Sequence, residues 1–245
     1  MTDIAQMPQQ QKKSILGRLV PVAVLAALAV AFFTLGLDQY VSFEALREHR
    51  EFLQAFVAEN ALLAVLIYIS VYAIAVAASV PGATVFTVSG GFLFGSVFGT
   101  VYTVIAATLG ATLVFLIARS AFGDALRAKA SGRIEKMLDG FREDAFSYLL
   151  VLRLVPLFPF FLVNVAPAFA SVPIRTYMVA TFLGIIPGTF VYVQVGTGLG
   201  SIFDAGETFS LANVLTPELI LALVGLAVLS LVPVVYKRVK ARKAA

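Results

Sequence analysis

The sequence predicts an all-α integral membrane protein with about five spanning helices and two re-entrant hairpins, and three observations lead there. Hydrophobic residues make up 60% of the chain and charged residues 13%, with a mean hydropathy of +0.95. A soluble domain sits nearer half apolar and a quarter charged. The apolar runs are far longer than a barrel strand and do not alternate, which excludes a transmembrane β-barrel. Two apolar stretches are also broken by proline and glycine. The first runs from Pro81-Gly82 to Gly90-Gly91-Phe92-Leu93-Phe94-Gly95, and the second from Arg153-Leu154-Val155-Pro156 through Pro159 to Asn164 and Pro167. Broken backbone at membrane depth is tolerated only where protein or a water-filled cavity satisfies its polar groups. A pair of such breaks in corresponding places is the best sequence pointer to a transporter's binding site.

Taken in order, residues 1–18 read as a disordered basic N-terminus carrying Lys12, Lys13 and Arg18. Residues 19–37 form a first spanning run. It is long for a signal peptide, and Asp38-Gln39-Tyr40 offers no small-residue cleavage site. Residues 38–60 read as an amphipathic interfacial helix with Ser42 as N-cap and a stripe of Phe43, Leu46, Leu53, Phe56 and Val57. A core of residues 61–200 follows. It holds a span at 62–79, the first hairpin, and a span at 98–118. A surface stretch at 119–145 comes next, with Ile134, Met137, Leu138, Phe141 and Ala145 on one face. The second hairpin at 146–170 and a span at 174–195 complete the core, with Gly184 and Pro187-Gly188 expected to kink that span. Residues 201–245 comprise the end of a Gly-rich loop at 196–215, a last span opened by Thr216-Pro217-Glu218, and the basic tail Lys237, Arg238, Lys240, Arg242 and Lys243. The basic termini favour the cytoplasm. Two re-entrant hairpins leave five crossings, an odd number that conflicts with both termini on one side. Either the 62–79 run and the first hairpin make two short crossings, or one terminal run does not span.

A shift of about 75 residues aligns the two broken segments. Val80-Pro81 meets Val155-Pro156, Phe94 meets Phe169, Ser96-Val97 meets Ser171-Val172, Tyr102 meets Tyr177, and Phe115 meets Phe190. This predicts an internal repeat. In the inverted arrangement the two hairpin tips would face each other near the bilayer midplane.

Few residues can carry chemistry. There is no cysteine, and the single histidine is His49. No serine–histidine–acid set, paired buried carboxylates or metal-ligand cluster appears, so neither an enzyme, a metal nor a cofactor is expected. Arg153 is the sharpest candidate, because apolar residues flank it on both sides. A central arginine costs roughly 3 kcal/mol on insertion scales. No acid lies at positions 60–123 or 145–203, so a carboxylate partner within the spans is all but excluded. Two readings stand: Arg153 staples its own hairpin, or it binds an anionic head group, which suits a planar guanidinium. Pro156 and Pro159 remove backbone donors and free carbonyls. Asn164 can close the break or touch substrate. Arg119 and Arg175 end spans and are expected to snorkel, with Arg119 also a candidate contact to substrate. Gly91, Gly95 and Gly99 recur every fourth residue, a small-residue packing face, and Gly110 is counted with the structural glycines. Gly82 and Gly90 are assigned to the turn. Gly196-x-Gly198-x-Gly200 lacks the strand–turn–helix setting of a nucleotide site.

These motifs resemble the DedA superfamily, also called VTT-domain or SNARE-associated membrane proteins, over roughly residues 60–200. The first half is present as Pro81-Gly82, Gly90-Gly91, Gly95, Gly99, Gly110-Ala111, Phe115 and Ala118-Arg119, and the second as Arg153, Pro156, Pro159 and Asn164. The Pro-x-x-Pro form is closer to the vesicle-protein branch. The resemblance implies two facing re-entrant loops and movement of phospholipids or polyprenyl-phosphate carriers between leaflets, in some members coupled to protons. DedA proteins proper usually place an acid where this chain has Ala83 and a second arginine where it has Pro159. Those departures favour a passive scramblase over proton coupling through that acid. The leading expectation is therefore a lipid flippase or scramblase in the plasma membrane. The alternatives are an ion-coupled transporter of a small solute and a membrane scaffold or assembly factor. Membrane lipids are the expected partners, with a second copy of the chain as a further one; nucleic acid is not.

Overall fold

The computed structural model describes residues 15–80, 82–127, 133–154 and 160–204, with residues 221, 224, 225 and 228 beyond them. Pro81, Pro156 and Pro159, residues 1–14, most of the last expected span and the basic C-terminal tail lie outside the described residues, while residues 15–18, expected to be disordered, begin a helix. The described chain is helical, with no strand. Helix α1 is Ile15–Thr34, and a 3-10 turn at Leu37–Tyr40 leads to α2, Phe43–Glu48, and α3, Arg50–Glu59. Helix α4 is Ala61–Ala77, α5 is Ala83–Arg127, α6 is Arg133–Leu154, α7 is Phe160–Phe169 and α8 is Ile174–Asp204.

The amphipathic segment forms as expected. The Ser42 hydroxyl accepts from the Ala45 amide at 3.1 Å, closing the first turn of α2. Leu46 is buried and the rest of the apolar stripe is half-buried, while Glu44, Glu48, Glu51 and Glu59 point outward.

Helix α5 is two helices joined at Gly95, whose φ of 75° and ψ of 179° admit only glycine without strain. Its arms run over residues 83–94 and 96–127 and fold back on each other. The Gly90 carbonyl sits where a side chain on Gly99 would have to go. The Tyr68 hydroxyl reaches the Phe86 carbonyl at 2.9 Å and the Thr103 hydroxyl at 2.6 Å, touching both arms at once. This corrects two sequence assignments. Gly95 is the tip of the hairpin and has open space around it, so it is not a packing glycine. Gly90 is helical and packs against Tyr68 and Thr103, so it does not form the turn. The hairpin's returning arm is itself the long apolar helix.

The second half also sets a short helix before a long one. Helix α7 ends at Phe169, as the first arm of α5 ends beside Phe94, 75 positions earlier. A sharp turn with Ser171 at φ 59° follows, and then long α8. Arg153 on α6 meets Asn164 on α7. Lengths sort the helices. The 83–94 arm and α7 rise about 18 and 15 Å, half a bilayer core, and α4 rises about 26 Å. The long parts of α5 and α8 are apolar and long enough to cross a membrane. Helix α8 continues to Asp204, where a Gly-rich loop from residue 196 was expected. Its Gly196 lies against Val88 and Gly91, and that close packing outweighs glycine's poor helix propensity. The 119–145 stretch is likewise not one surface helix: α5 extends to Arg127, and α6 begins at Arg133 and bends at Asp144. Phe141 is buried in the core beside the Tyr148 ring, 4.7 Å away.

The core lies between the two halves. It is built from Tyr68, Tyr72, Ala107, Phe115, Leu149 and Tyr177 among others. Phe115 and Tyr177 stack with centroids 4.3 Å apart. The first arm of α5 packs against α8 where Gly91 faces the Val193 backbone, while α7 packs on the second arm.

Candidate functional site

The site forms where α6, α7 and α8 meet. Arg153 stands in the last turn of α6, next to its final residue Leu154. Gly184 on α8 lies against its Cβ, and a methyl group there would collide with the arginine. The Arg153 Nη2 lies 2.8 Å from Asn164 Oδ1, 3.0 Å from the Tyr177 hydroxyl and 3.1 Å from the Thr181 hydroxyl. The Tyr177 and Thr181 side chains share a face of α8, four residues apart. Tyr177 donates its single proton either to the Ala111 carbonyl or to Asn164 Oδ1, each at 3.1 Å, so α5 is tied to the cluster as well. The guanidinium carbon lies 5.6 Å from the Tyr177 ring centroid, within cation–π range.

All of these oxygens are neutral. They orient the guanidinium by hydrogen bonds. Asn164, Tyr177 and Thr181 are fully buried, and Arg153 is the member that reaches accessible surface. Asn164 is oriented by its partners, its oxygen facing the donors. Its Nδ2 is then a buried donor with no acceptor among the described residues. An unfilled buried donor costs about 1–3 kcal/mol, so a bound acceptor there would recover that energy.

Among the expected site residues, Arg153 and Asn164 come together. Arg119 does not join them: its Nη1 lies 3.4 Å from the Val172 carbonyl, and its guanidinium sits at the Phe115 ring, pinning the turn before α8. Tyr177 and Thr181 were missed as site residues, although Tyr177 appears in the sequence repeat. A second hydroxyl cluster was also missed: Tyr68 with Thr103, and Tyr72 with Thr87 at 2.8 Å. The signal was present as hydroxyl residues at helical spacing within apolar runs. Gly91, Gly99 and Gly110 pack within the chain, against Val193, Gly90 and Ala73 respectively. Gly82 has φ 110° and serves the turn before α5, as expected.

Long apolar helices, half-length helices beside them and an arginine held by hydroxyls define a helical membrane protein with a polar cluster among its apolar helices. Residues 80–198 match the VTT domain. The chain is thus a VTT-domain membrane protein, consistent with the DedA superfamily. It is 28% identical to a transmembrane protein 41 homologue of Dictyostelium discoideum over 77% of this chain and 55% of that protein. It is 27% identical to one of Caenorhabditis elegans over 69% and 68%, and 30% identical to human transmembrane protein 41B over 51% and 41%. The matched stretches thus span roughly half the length of these curated relatives. No solved structure matches the chain.

Proposed function

We propose that this protein is a lipid transporter of the flippase or scramblase type, moving phospholipid or polyprenyl-phosphate lipids between leaflets, with Arg153 and Asn164 receiving the phosphate. One observation carries the reading: a guanidinium oriented by neutral oxygens beside a buried Asn164 Nδ2 that has no acceptor among the described residues. Guanidinium and amide donors together suit a phosphate oxygen. The staple to Asn164 and phosphate binding are compatible, since a bound phosphate would add to the pre-oriented pair.

The half-length helices support two re-entrant hairpins, and the 75-residue recurrence supports an inverted repeat with the hairpins facing across the core. Its basic ends support cytoplasmic termini, and the plasma membrane is the membrane proposed for it. Ala83 at the first residue of α5 leaves no acid there, so passive exchange is favoured over proton coupling through that position.

The test is leaflet exchange of fluorescent phospholipid in liposomes holding purified protein. Wild type should exceed empty liposomes. Arg153→Ala and Arg153→Lys should both lose most of the exchange while remaining folded. Exchange no faster than in empty liposomes, with and without a proton gradient, would replace this reading with the scaffold alternative.

A further inference from the structure

A cavity of about 470 Å³ lies between the α2–α3 segment and the first hairpin, remote in sequence from the arginine cluster. That volume is in the range of small-molecule sites. Its wall is almost wholly apolar. The inner end is formed by buried Leu46, Ala64 and Tyr68, together with Phe86 of the hairpin arm. At the mouth stand His49, which is exposed, and Phe52, 69% exposed.

Two features of the surroundings say what occupies it. The cavity opens along α4 past Ile67 and Val71, both exposed. These residues belong to one outward apolar face with Leu63 and Ile74, four-and-three residues apart along a membrane helix. With the chain embedded in a membrane, this face puts hydrocarbon against the opening. On the other side α3 carries Arg50, Glu51 and Glu59 and lies as an amphipathic helix at the polar boundary. A ligand must then reach from the polar boundary into an apolar slot that continues into the hydrocarbon. A lipid tail does so, whereas a polar solute would leave its hydrogen bonds unmade along such a wall.

We propose that this cavity is a binding site for one acyl chain of a membrane phospholipid, with α2–α3 as its cover. The chain would lie against Phe86, whose carbonyl the Tyr68 hydroxyl holds, and so would touch the hairpin arm directly. This rests on the chain being embedded in a membrane, and not on the transport reading.

The experiment uses the full chain in lipid nanodiscs containing phosphatidylcholine with a photoreactive diazirine near the end of one acyl chain. Cross-linked residues are located by mass spectrometry. Label should concentrate on Leu46, Tyr68 and Phe86, above its level on Leu113 and Leu116, which face outward from α5. Ala64→Phe and Ala45→Phe fill the cavity from different helices, so the failure of one to fold leaves the other. Each should lower the cavity label about tenfold, the change that losing roughly two buried methylenes brings. Label on Leu113 and Leu116 should be unaffected. Arg153→Ala should keep the cavity label even where lipid exchange is lost. Cavity label no higher than that on Leu113 and Leu116, or undiminished in folded filled variants, would overturn the proposal.

Discussion

Arg153 keeps its charge within apolar helices through the oxygens around it, and those partners define its chemistry. The Tyr177 hydroxyl serves both Arg153 and the α5 backbone, so Tyr177→Phe should cost about 1–2 kcal/mol while keeping the Phe115 stack. Unfolding of the purified protein in denaturant would show it, and an unchanged midpoint would mean that the hydroxyl bonds contribute nothing. At this scale the sequence was legible where a residue is out of place. An arginine in an apolar run is conspicuous, and an asparagine beside paired prolines is nearly so. Tyr177 and Thr181 were not, because tyrosine and threonine occur on every face of membrane helices. Only the rotation of α8 against α6 decides which hydroxyls face the guanidinium.

The glycines separate into kinds at the scale of elements, and substitution should separate them too. Gly91 faces the Val193 backbone, which cannot yield, so Gly91→Ala should destabilise by about 1–3 kcal/mol through overpacking. Gly95→Ala meets no neighbouring atom yet should cost about 1–3 kcal/mol, because its backbone conformation excludes a side chain. Gly188 is helical with open space around it, so Gly188→Ala should stabilise by about 0.5–1 kcal/mol. Thermal unfolding of the three variants side by side would check the order; equal effects would undo the assignment. That this apolar stretch folds back was legible in its run of glycines, although Gly90 and Gly91 are helical and the turn falls at Gly95. The position of its tip was not, since a four-residue glycine spacing is the same whether a glycine packs or turns.

At the scale of the whole molecule, the halves interlock. The first arm of α5 lies on α8, and α7 lies on the second arm, so neither half buries its own hairpin alone. The chain has no native cysteine, which makes paired cysteines clean reporters. Phe92 and Phe203 have ring centroids 6.0 Å apart across this contact. Phe92→Cys with Phe203→Cys should therefore be joined by a short bismaleimide within one molecule, as mass spectrometry would show. Linkage only between molecules would mean that the halves do not pack this way. The 75-residue spacing of Phe94 and Phe169 was visible in the sequence, but the extension of α8 through its glycines was not. That extension depends on contact with Val88 and Gly91, and local helix propensity carries no trace of it.

The most direct measurement compares two lipids in the same proteoliposomes, a fluorescent phospholipid and a glucosylceramide with no phosphate. If Arg153 and Asn164 receive the phosphate, wild-type protein exchanges the phospholipid faster, and Arg153→Lys and Asn164→Leu remove that preference. Equal acceleration of both lipids, unchanged in both folded variants, would contradict a phosphate-receiving role for the arginine cluster.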